Sequence, residues 1–576
     1  MPRLSAKDAL TQEAAEVIKR YEDSLSYYRT KGYLTKWPEY ERFKAGDQWP
    51  AATERTKNLP RPVFNIIDLI SSHRVSSVVN EQVKMIFSPE DGKGGLYEEA
   101  ADMFTRFADA TWERLKQNEL NEEALEIASN VGTGIAHYYW DPSKNGGNTI
   151  KYQGEMCGEV LDPINVFFGN PQNRNVQAQP WIIISSRELV SDVRELARTR
   201  GKLSKTMVMQ IVPDNDTVNE GYDQARIEIN ESDKVTVLTQ YYKKNGTVHF
   251  KKVASGLVIV PETDTGLHLY PIAVMQWKRR RKSIHGVGDT EGLIPNQKAI
   301  NFLIAMEILS AQLTGWPKMV IRPQYVRKEL ITNTPGEIVE DNSPPGQGKG
   351  VEYLNPGSIS PHVRELVERI VDLTREMTGA NDAATGTAPS ADLNATAIML
   401  LQKAAGVPIE SVKRRFYQWI EDIGRIWEDF FKVKYNITRL VELKDDDGNL
   451  YMAEFNGSKY ADVNLNLKID IGPSSMYSES LMMSSLDKFL QARLISFKQY
   501  LKYAPRNVVP FKERLLQEIE EQEQAQQMDM AQQIASLPPE IKAMFDQLPP
   551  QEQQRILQQA QSAMQPQPPP LVAVRG

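Results

Sequence analysis

Five consecutive cations, Lys278, Arg279, Arg280, Arg281 and Lys282, could contact nucleic-acid phosphates without reading a base sequence, which needs only charge and reach. The same run equally fits a solvated strand end, the usual place for a charge cluster. Just beyond it, Gly286-Val287-Gly288-Asp289-Thr290-Glu291-Gly292 matches a dinucleotide-binding fingerprint in part. Its last glycine spacing is three residues rather than two, and Asp289 and Glu291 would repel a phosphate. A hinge followed by an acidic N-cap accounts for it better. Asp445-Asp446-Asp447-Gly448 lacks the ligand spacing and terminal Glu of a calcium loop and predicts a turn. The histidines, His73, His137, His249, His268, His285 and His362, include no pair four residues apart, which removes the helical zinc-protease pattern. Cys157 is the single cysteine, so an internal disulfide and a multi-cysteine metal site are excluded, and its strand-like surroundings predict a buried structural thiol. No Gly-x-x-x-x-Gly-Lys-[Ser/Thr] loop and no Gly-x-Ser-x-Gly elbow occur. Neither a cofactor nor a metal is expected, and the chain is not expected to be an enzyme.

These residues sit in a chain of 576, long enough for two or more domains or for one core with large insertions. Hydrophobic residues at 41% and charged residues at 25% predict a folded chain rather than a disordered one. The net charge of −7 argues against a basic body that grips DNA over its whole surface, so any DNA contact must be local or topological. No apolar run approaches the ~20 residues of a membrane span, and the charged segment Met1 to Arg20 lacks the apolar stretch of an export signal. A non-membrane protein of a reducing compartment is expected.

The elements that would position the chemistry follow from periodicity. Helical spacing covers Ala6 to Thr30, Ile66 to Phe87 and Tyr97 to Asn130. From Ile150 the period becomes strand-like, with Glu159 to Gly169 and Trp181 to Ser186, followed by a short helix capped by Ser191. Lys234 to Lys243 and Thr247 to Val253 flank Asn245-Gly246, a strong hairpin signal, so a mainly antiparallel sheet is expected. After a strand at Ile272 to Trp277 comes a helix from about Asp289 to Leu313. Its apolar positions run nearly all round, so most of its sides must be packed.

Pro and Gly punctuate Trp316 to Pro356, with short strand candidates at Met319 to Arg322, Glu337 to Glu340 and Val351 to Leu354. Pro361 starts a second helix with one apolar face, at Val363, Leu366, Val367, Ile370, Val371 and Met377. Helix, small β unit and helix predict an αα-hairpin with a decorated tip. Gly379 to Ala395 is small, polar and without period, a loop. A long helix, Thr396 to Tyr435, is expected to kink at Gly406-Val407-Pro408. A hairpin about Asp447-Gly448-Asn449 and a strand at Val463 to Ile471 follow. Helix returns from Ser478 to Ala531, broken near Pro505 to Pro510, before a Gln- and Pro-rich end.

Gly46-Asp47-Gln48-Trp49, followed by Arg61-Pro62-Val63-Phe64-Asn65-Ile66-Ile67, resembles the opening of portal proteins from short-tailed bacteriophages and their relatives. The order of Gly286 to Asn301, apolar helix, β insertion, second helix, small-residue loop and kinked helix extends the resemblance over residues 35–475. It implies an α+β portal fold: an α/β wing at 1–289 and 396–475 containing the long kinked helix, a two-helix stem at 290–313 and 361–378, and a small β-rich clip at 314–360. A tunnel loop at 379–395, a helical crown at 476–531 and a barrel or disordered tail at 532–576 complete it.

The implied function is a ring, dodecameric in that family, at one capsid vertex through which double-stranded DNA is packaged and ejected. Ile300, Leu303, Ile304, Ile308 and Leu309 of the stem would then form the subunit interface, where an all-round apolar helix finds neighbours on both sides. Asn381, Asp382, Thr385, Thr387 and Ser390 would line the DNA channel, and Lys278 to Lys282 would supply phosphate contacts. Lys318, Arg322, Arg327 and Lys328 of the clip would dock the terminase large subunit during packaging and a head-tail adaptor afterwards. Major capsid and scaffolding proteins are the remaining implied partners, and the implied location is the virion, with assembly in the host cytoplasm. The alternatives are another self-associating virion structural or scaffold protein, or a metal-dependent nuclease working through dispersed carboxylates.

Overall fold

A computed structural model describes residues 6–79, 83–90, 95–147, 151–214, 233–316, 318–332, 338–346, 348–354, 362–378, 395–444, 450–471 and 476–504, with 514–516, 518–519 and 521. The chain divides into two units, Met1–Ser474 and Ser475–Gly576. The mixed α+β class expected from the sequence is present, built from helices and several small antiparallel sheets.

The first unit opens with helices α1 (Ala6–Lys31), α2 (Tyr33–Lys44) and α3 (Ile66–Val79). The periodicity places α1 correctly but misses α2, whose Tyr33, Trp37, Tyr40 and Phe43 join Tyr28 of α1 in an aromatic core against Leu293 and Ile294. The helix expected through Phe87 stops at Val79. Strand β1 (Val83–Pro89) follows, because Met85 and Phe87 alternate inward while Lys84 and Ile86 face out. The single helix expected from Tyr97 to Asn130 is two, α4 (Leu96–Leu115) and α5 (Gln117–Val131), parted where Lys116 takes a left-handed φ of 52°.

Strands β2 (Thr133–Gly146) and β3 (Tyr152–Leu161) pair antiparallel, and a five-stranded antiparallel sheet follows. Its strands are β4 (Val166–Phe168), β5 (Trp181–Leu189), β6 (Lys234–Lys244), β7 (Thr247–Ala254) and β8 (Leu257–Asp264) in sequential order. The Asn245-Gly246 turn is as expected: both residues have positive φ, 55° and 91°, as a two-residue hairpin turn of type I′ demands. Helix α6 (Val190–Thr199) begins after Leu189, and Ser191 lies inside its first turn without capping it. A short helix α7 (Lys205–Val208) follows, and strand β9 (Ile272–Gln276) adds to the free edge of β2.

Helix α8 (Asp289–Gly315) and helix α9 (His362–Thr378) form the expected αα-hairpin, and at its tip β10 (Met319–Ile321) pairs with β11 (Val351–Tyr353). Residues 338–340 are not a strand. Helix α10 (Ala395–Lys434) is continuous through Gly406-Val407-Pro408, where the kink is expected. Strands β12 (Arg439–Lys444) and β13 (Leu450–Phe455) make the next hairpin, and β14 (Leu465–Ile471) pairs with β1. Trp419, Trp427, Phe430 and Phe431 of α10, packed with Phe104, Phe107 and Tyr138, fill the main core.

In the second unit, α11 (Met476–Gln491) and α12 (Phe497–Tyr503) are separated at Ala492–Ser496, a break the sequence reading does not include; α12 ends just before Pro505, and Pro505 to Pro510 lie outside the described residues. Ser496 caps α12 in a capping box with Gln499. The predicted loop residues 379–394 and the Gln- and Pro-rich end lie outside the described residues. No helix among the described residues is long and apolar enough to cross a membrane.

Candidate functional site

The α8–α9 hairpin is held at its root by side chains from segments far apart in sequence. Asp289, at the first turn of α8, is buried; its carboxylate accepts from Arg74 Nη1 at 2.9 Å and Trp277 Nε1 at 2.8 Å and pairs with Lys278 Nζ at 2.8 Å. Acidic charge at a helix N-terminus is favourable in itself. Here it also neutralises Arg74, which is buried on α3. Thr290 donates to Asn130 Oδ1 at 2.6 Å. Gly288, the N-cap, and Gly286 lie against backbone: a Cβ on Gly288 would stand 2.0 Å from the Asn130 carbonyl oxygen, and one on Gly286 2.2 Å from that of Gly132. These glycines serve close packing. The expected hinge is instead a seam, with Lys278 and Val287 bridged backbone to backbone.

Two turns further along α8, four amides from three segments interlock. Gln297 accepts from the Ile66 backbone at 2.9 Å and donates to the Phe64 carbonyl at 2.6 Å and to Asn301 Oδ1 at 2.9 Å. Asn301 donates to Gln48 Oε1 at 2.6 Å, and Gln48 donates to Asn65 Oδ1 at 3.0 Å. Trp49 Nε1 closes the loop on the Pro62 carbonyl at 2.8 Å. The three sequence motifs quoted above, around Gln48, around Asn65 and around Gln297, therefore meet at one place. Buried amides of this kind hold a structure only when all are matched, and such a network gives a defined geometry to what grows from it.

What grows from it changes character along its length. In the first two-thirds of α8, Leu293, Ile294, Ile300 and Ala305 are buried within the chain. Ile300, expected at the subunit interface, is 1% exposed and belongs to the chain's own core. Leu303, Ile304, Ile308 and Leu309 are half-buried. Phe302, Met306 and Leu313 are exposed, Phe302 at 51%, and Trp316 just beyond the helix is exposed at 83%. Helix α9 turns Val363, Val367, Ile370 and Thr374 inward, with Asn296 of α8 donating to Thr374 Oγ1 at 3.0 Å. Its Leu366, Leu373 and Met377, the last at 81%, stay exposed. The hairpin thus presents apolar side chains at helical spacing on both arms.

At the tip, Lys318, Arg322, Arg327 and Lys328 are all exposed. The loop between β10 and β11 is tied down by Asp341, whose carboxylate accepts from the Gly350 backbone at 2.8 Å and from the Ser343 hydroxyl. These contacts hold that carboxyl below the usual range. The basic run 278–282 is only partly available: Lys278 pairs with Asp289 and Arg280 with Glu291, leaving Arg279, Arg281 and Lys282 exposed without an ion pair among the described residues. Asn381, Asp382, Thr385, Thr387 and Ser390 lie outside the described residues.

No protein-family model matches the chain, and no curated protein matches it in sequence.

Among the other ionisable groups, His137, in a cavity of about 1010 Å³, has both ring nitrogens engaged, with Glu159 at 2.8 Å and the Tyr241 hydroxyl at 3.0 Å. Cys157 is buried in β3. Sequence reasoning missed Arg74 and the role of the amides, since nothing local to Gln48 or Gln297 says that they lie within reach of each other.

Proposed function

We propose that this chain is a portal subunit, which assembles into a ring around double-stranded DNA at a capsid vertex and serves genome packaging, head-tail joining and ejection. The observation that carries the proposal is the α8–α9 hairpin: a rigidly rooted pair of helices whose outward faces carry Phe302, Met306, Leu313, Leu366, Leu373 and Met377, exposed among the described residues. Large exposed apolar stripes cost solubility unless another surface covers them. In a closed ring every copy covers the next, so the same stripe is useful on each subunit. The order of elements, helix, β-ribbon tip and helix followed by one long helix, also matches the stem and clip order that the sequence motifs imply.

In this reading the exposed cations of the tip, Lys318, Arg322, Arg327 and Lys328, belong to the clip and meet the terminase large subunit or an adaptor. The segment 379–395, whose last residue begins α10, would be the tunnel loop. An acidic chain, at −7, suits a conduit that must let phosphates pass without holding them.

Phe302→Asp together with Met306→Asp tests this. Both side chains are exposed in the single chain, so the subunit should fold with an unchanged far-ultraviolet spectrum, while negative-stain images and sedimentation velocity should show rings lost to monomers. Wild-type protein that sediments as a 65.3 kDa monomer at all concentrations, or a double variant that still forms rings, would overturn the proposal.

A further inference from the structure

A cavity of about 340 Å³ opens where the basic run meets α10. Three guanidinium-bearing residues line it, Arg174 from the loop after β4, Arg279 from the basic run and Arg415 from α10, and one carboxylate, Asp422, shares the wall. Like charges gathered in a small volume repel one another unless an anion lies among them. Elsewhere in this region the chain supplies that anion itself, Asp289 for Arg74 and Glu291 for Arg280. For Arg174, Arg279 and Arg415 no ion pair is made among the described residues.

Two hydrogen-bond donors at the same place are also unmatched. Trp419, 1% exposed, lines the cavity, and its Nε1 makes no hydrogen bond; nor does the buried Nε of Arg415, whose Nη2 reaches only Ser411 Oγ at 3.2 Å. Buried donors are matched as a rule, and an exception calls for an acceptor. Burial, and then the charges of Arg279 and Arg74, hold the Arg415 guanidinium below its ordinary range, the response of a cation that has lost water without gaining a counter-ion.

We propose that this cavity binds one tetrahedral oxyanion, a phosphate group, between Arg174, Arg279 and Arg415, with the Trp419 indole N–H as a further donor. Three cations against one carboxylate leave a surplus of positive charge that an oxyanion offsets, and guanidinium forks match the non-bridging oxygens of a phosphate in pairs. The phosphate can be free inorganic phosphate or a phosphodiester of DNA. The assignment stands on the cavity alone and does not depend on the portal reading.

The test uses the full-length protein, with sodium phosphate titrated against sodium chloride at equal ionic strength and the thermal midpoint and binding heat recorded. Phosphate should raise the midpoint relative to chloride. Arg279→Gln, at an exposed position that does not threaten folding, should weaken phosphate binding at least tenfold, as should Trp419→Phe, which keeps a ring in the core. Asp422→Asn should tighten binding, and Arg281→Gln, in the same basic run but outside the cavity, should leave it unchanged. A short DNA duplex that displaces phosphate would identify the phosphodiester as the source, whereas failure to displace it would identify free phosphate. Absence of a phosphate-specific effect, or an equal effect in Arg279→Gln, would overturn the assignment. Loss of self-association in Arg279→Gln without phosphate binding to the wild type would do so too, and would give the cavity to an acidic side chain of a second copy.

Discussion

Replacing Asp289 with Asn asks how much of the hairpin root depends on one carboxylate. The substitution changes the shape very little but removes the charge that faces Arg74, Lys278 and Trp277 Nε1. The Arg74 side chain is 6% exposed and that of Asp289 1%, so water cannot take over. The new amide also turns two N–H groups toward three donors. Removing one partner of a buried pair leaves the other charge uncompensated, at a cost of about 3–5 kcal/mol. Lys278, half-exposed, can swing into solvent and adds little to that figure. Urea unfolding followed by tryptophan fluorescence is the natural assay, because Trp277 itself touches the site. Asp289→Asn should lower the midpoint with an unchanged slope, and Arg74→Met with Asp289→Leu should cost less than the sum of the two single changes by about 2 kcal/mol or more, since the pair is lost together. A loss below about 1 kcal/mol for Asp289→Asn, or strict additivity in the double variant, would refute the assigned role.

Two further outcomes follow from the same region. His285 is enclosed by Tyr28, Tyr33, Trp37 and Phe168, and burial, aided by the Arg280 charge, pushes its pKa down to about 3. Tyr28 donates to the Val166 carbonyl at 2.6 Å, so its oxygen must accept from His285 Nε2 at 2.8 Å, which leaves Nδ1 unprotonated and without a partner. Below about pH 6.5 the unfolded chain binds a proton at this residue that the folded chain refuses. Stability from this group is therefore complete above that pH and falls by up to about 1.4 kcal/mol per pH unit toward pH 3. His285→Phe should flatten the dependence in urea melts between pH 6.5 and 4, and an unchanged slope would remove His285 as its source. Gly288→Ala should be severely destabilising, since its Cβ would meet the Asn130 backbone at 2.0 Å. Gly292→Ala, one turn on in the same helix with open space around it, should gain up to about 1 kcal/mol. Equal melting shifts for the two would contradict the tight seam at Gly288.

Local signals were legible and long-range ones were not. Asn245-Gly246 announces its turn because both residues tolerate positive φ, and the αα-hairpin is readable because Pro361 and the apolar periods mark its arms. Strand β1 reads as the end of a helix in sequence because its partner, β14, lies almost four hundred residues away, with Val83 opposite Ile471. Val-Lys-Met-Ile-Phe satisfies either period until that partner is known. The break at Lys116 carries no glycine to advertise it. At the root of the hairpin, the motifs of Gln48, Asn65 and Gln297 stood out in sequence, yet their shared purpose appears only when the fold brings three segments together.

The apparent apolar circumference of α8 resolves into two faces at two heights. Leu293, Ile294, Gln297, Ile300, Asn301 and Ala305 face the chain's own core, whereas Phe302, Met306, Leu309 and Leu313 follow one another at spacings of four, three and four residues. At 3.6 residues per turn the two sets are centred about 140° apart around the helix. A helix serving only its own subunit would need one apolar face, and its outward half could be polar at no cost. Keeping the second stripe nearly opposite the first, beyond the point where the amide network fixes the helix direction, gives each copy of the chain an aimed apolar surface. In the proposed ring, a rigid root and an outward stripe would together set the angle between neighbours, and a constant angle between identical subunits closes a ring rather than building an irregular aggregate.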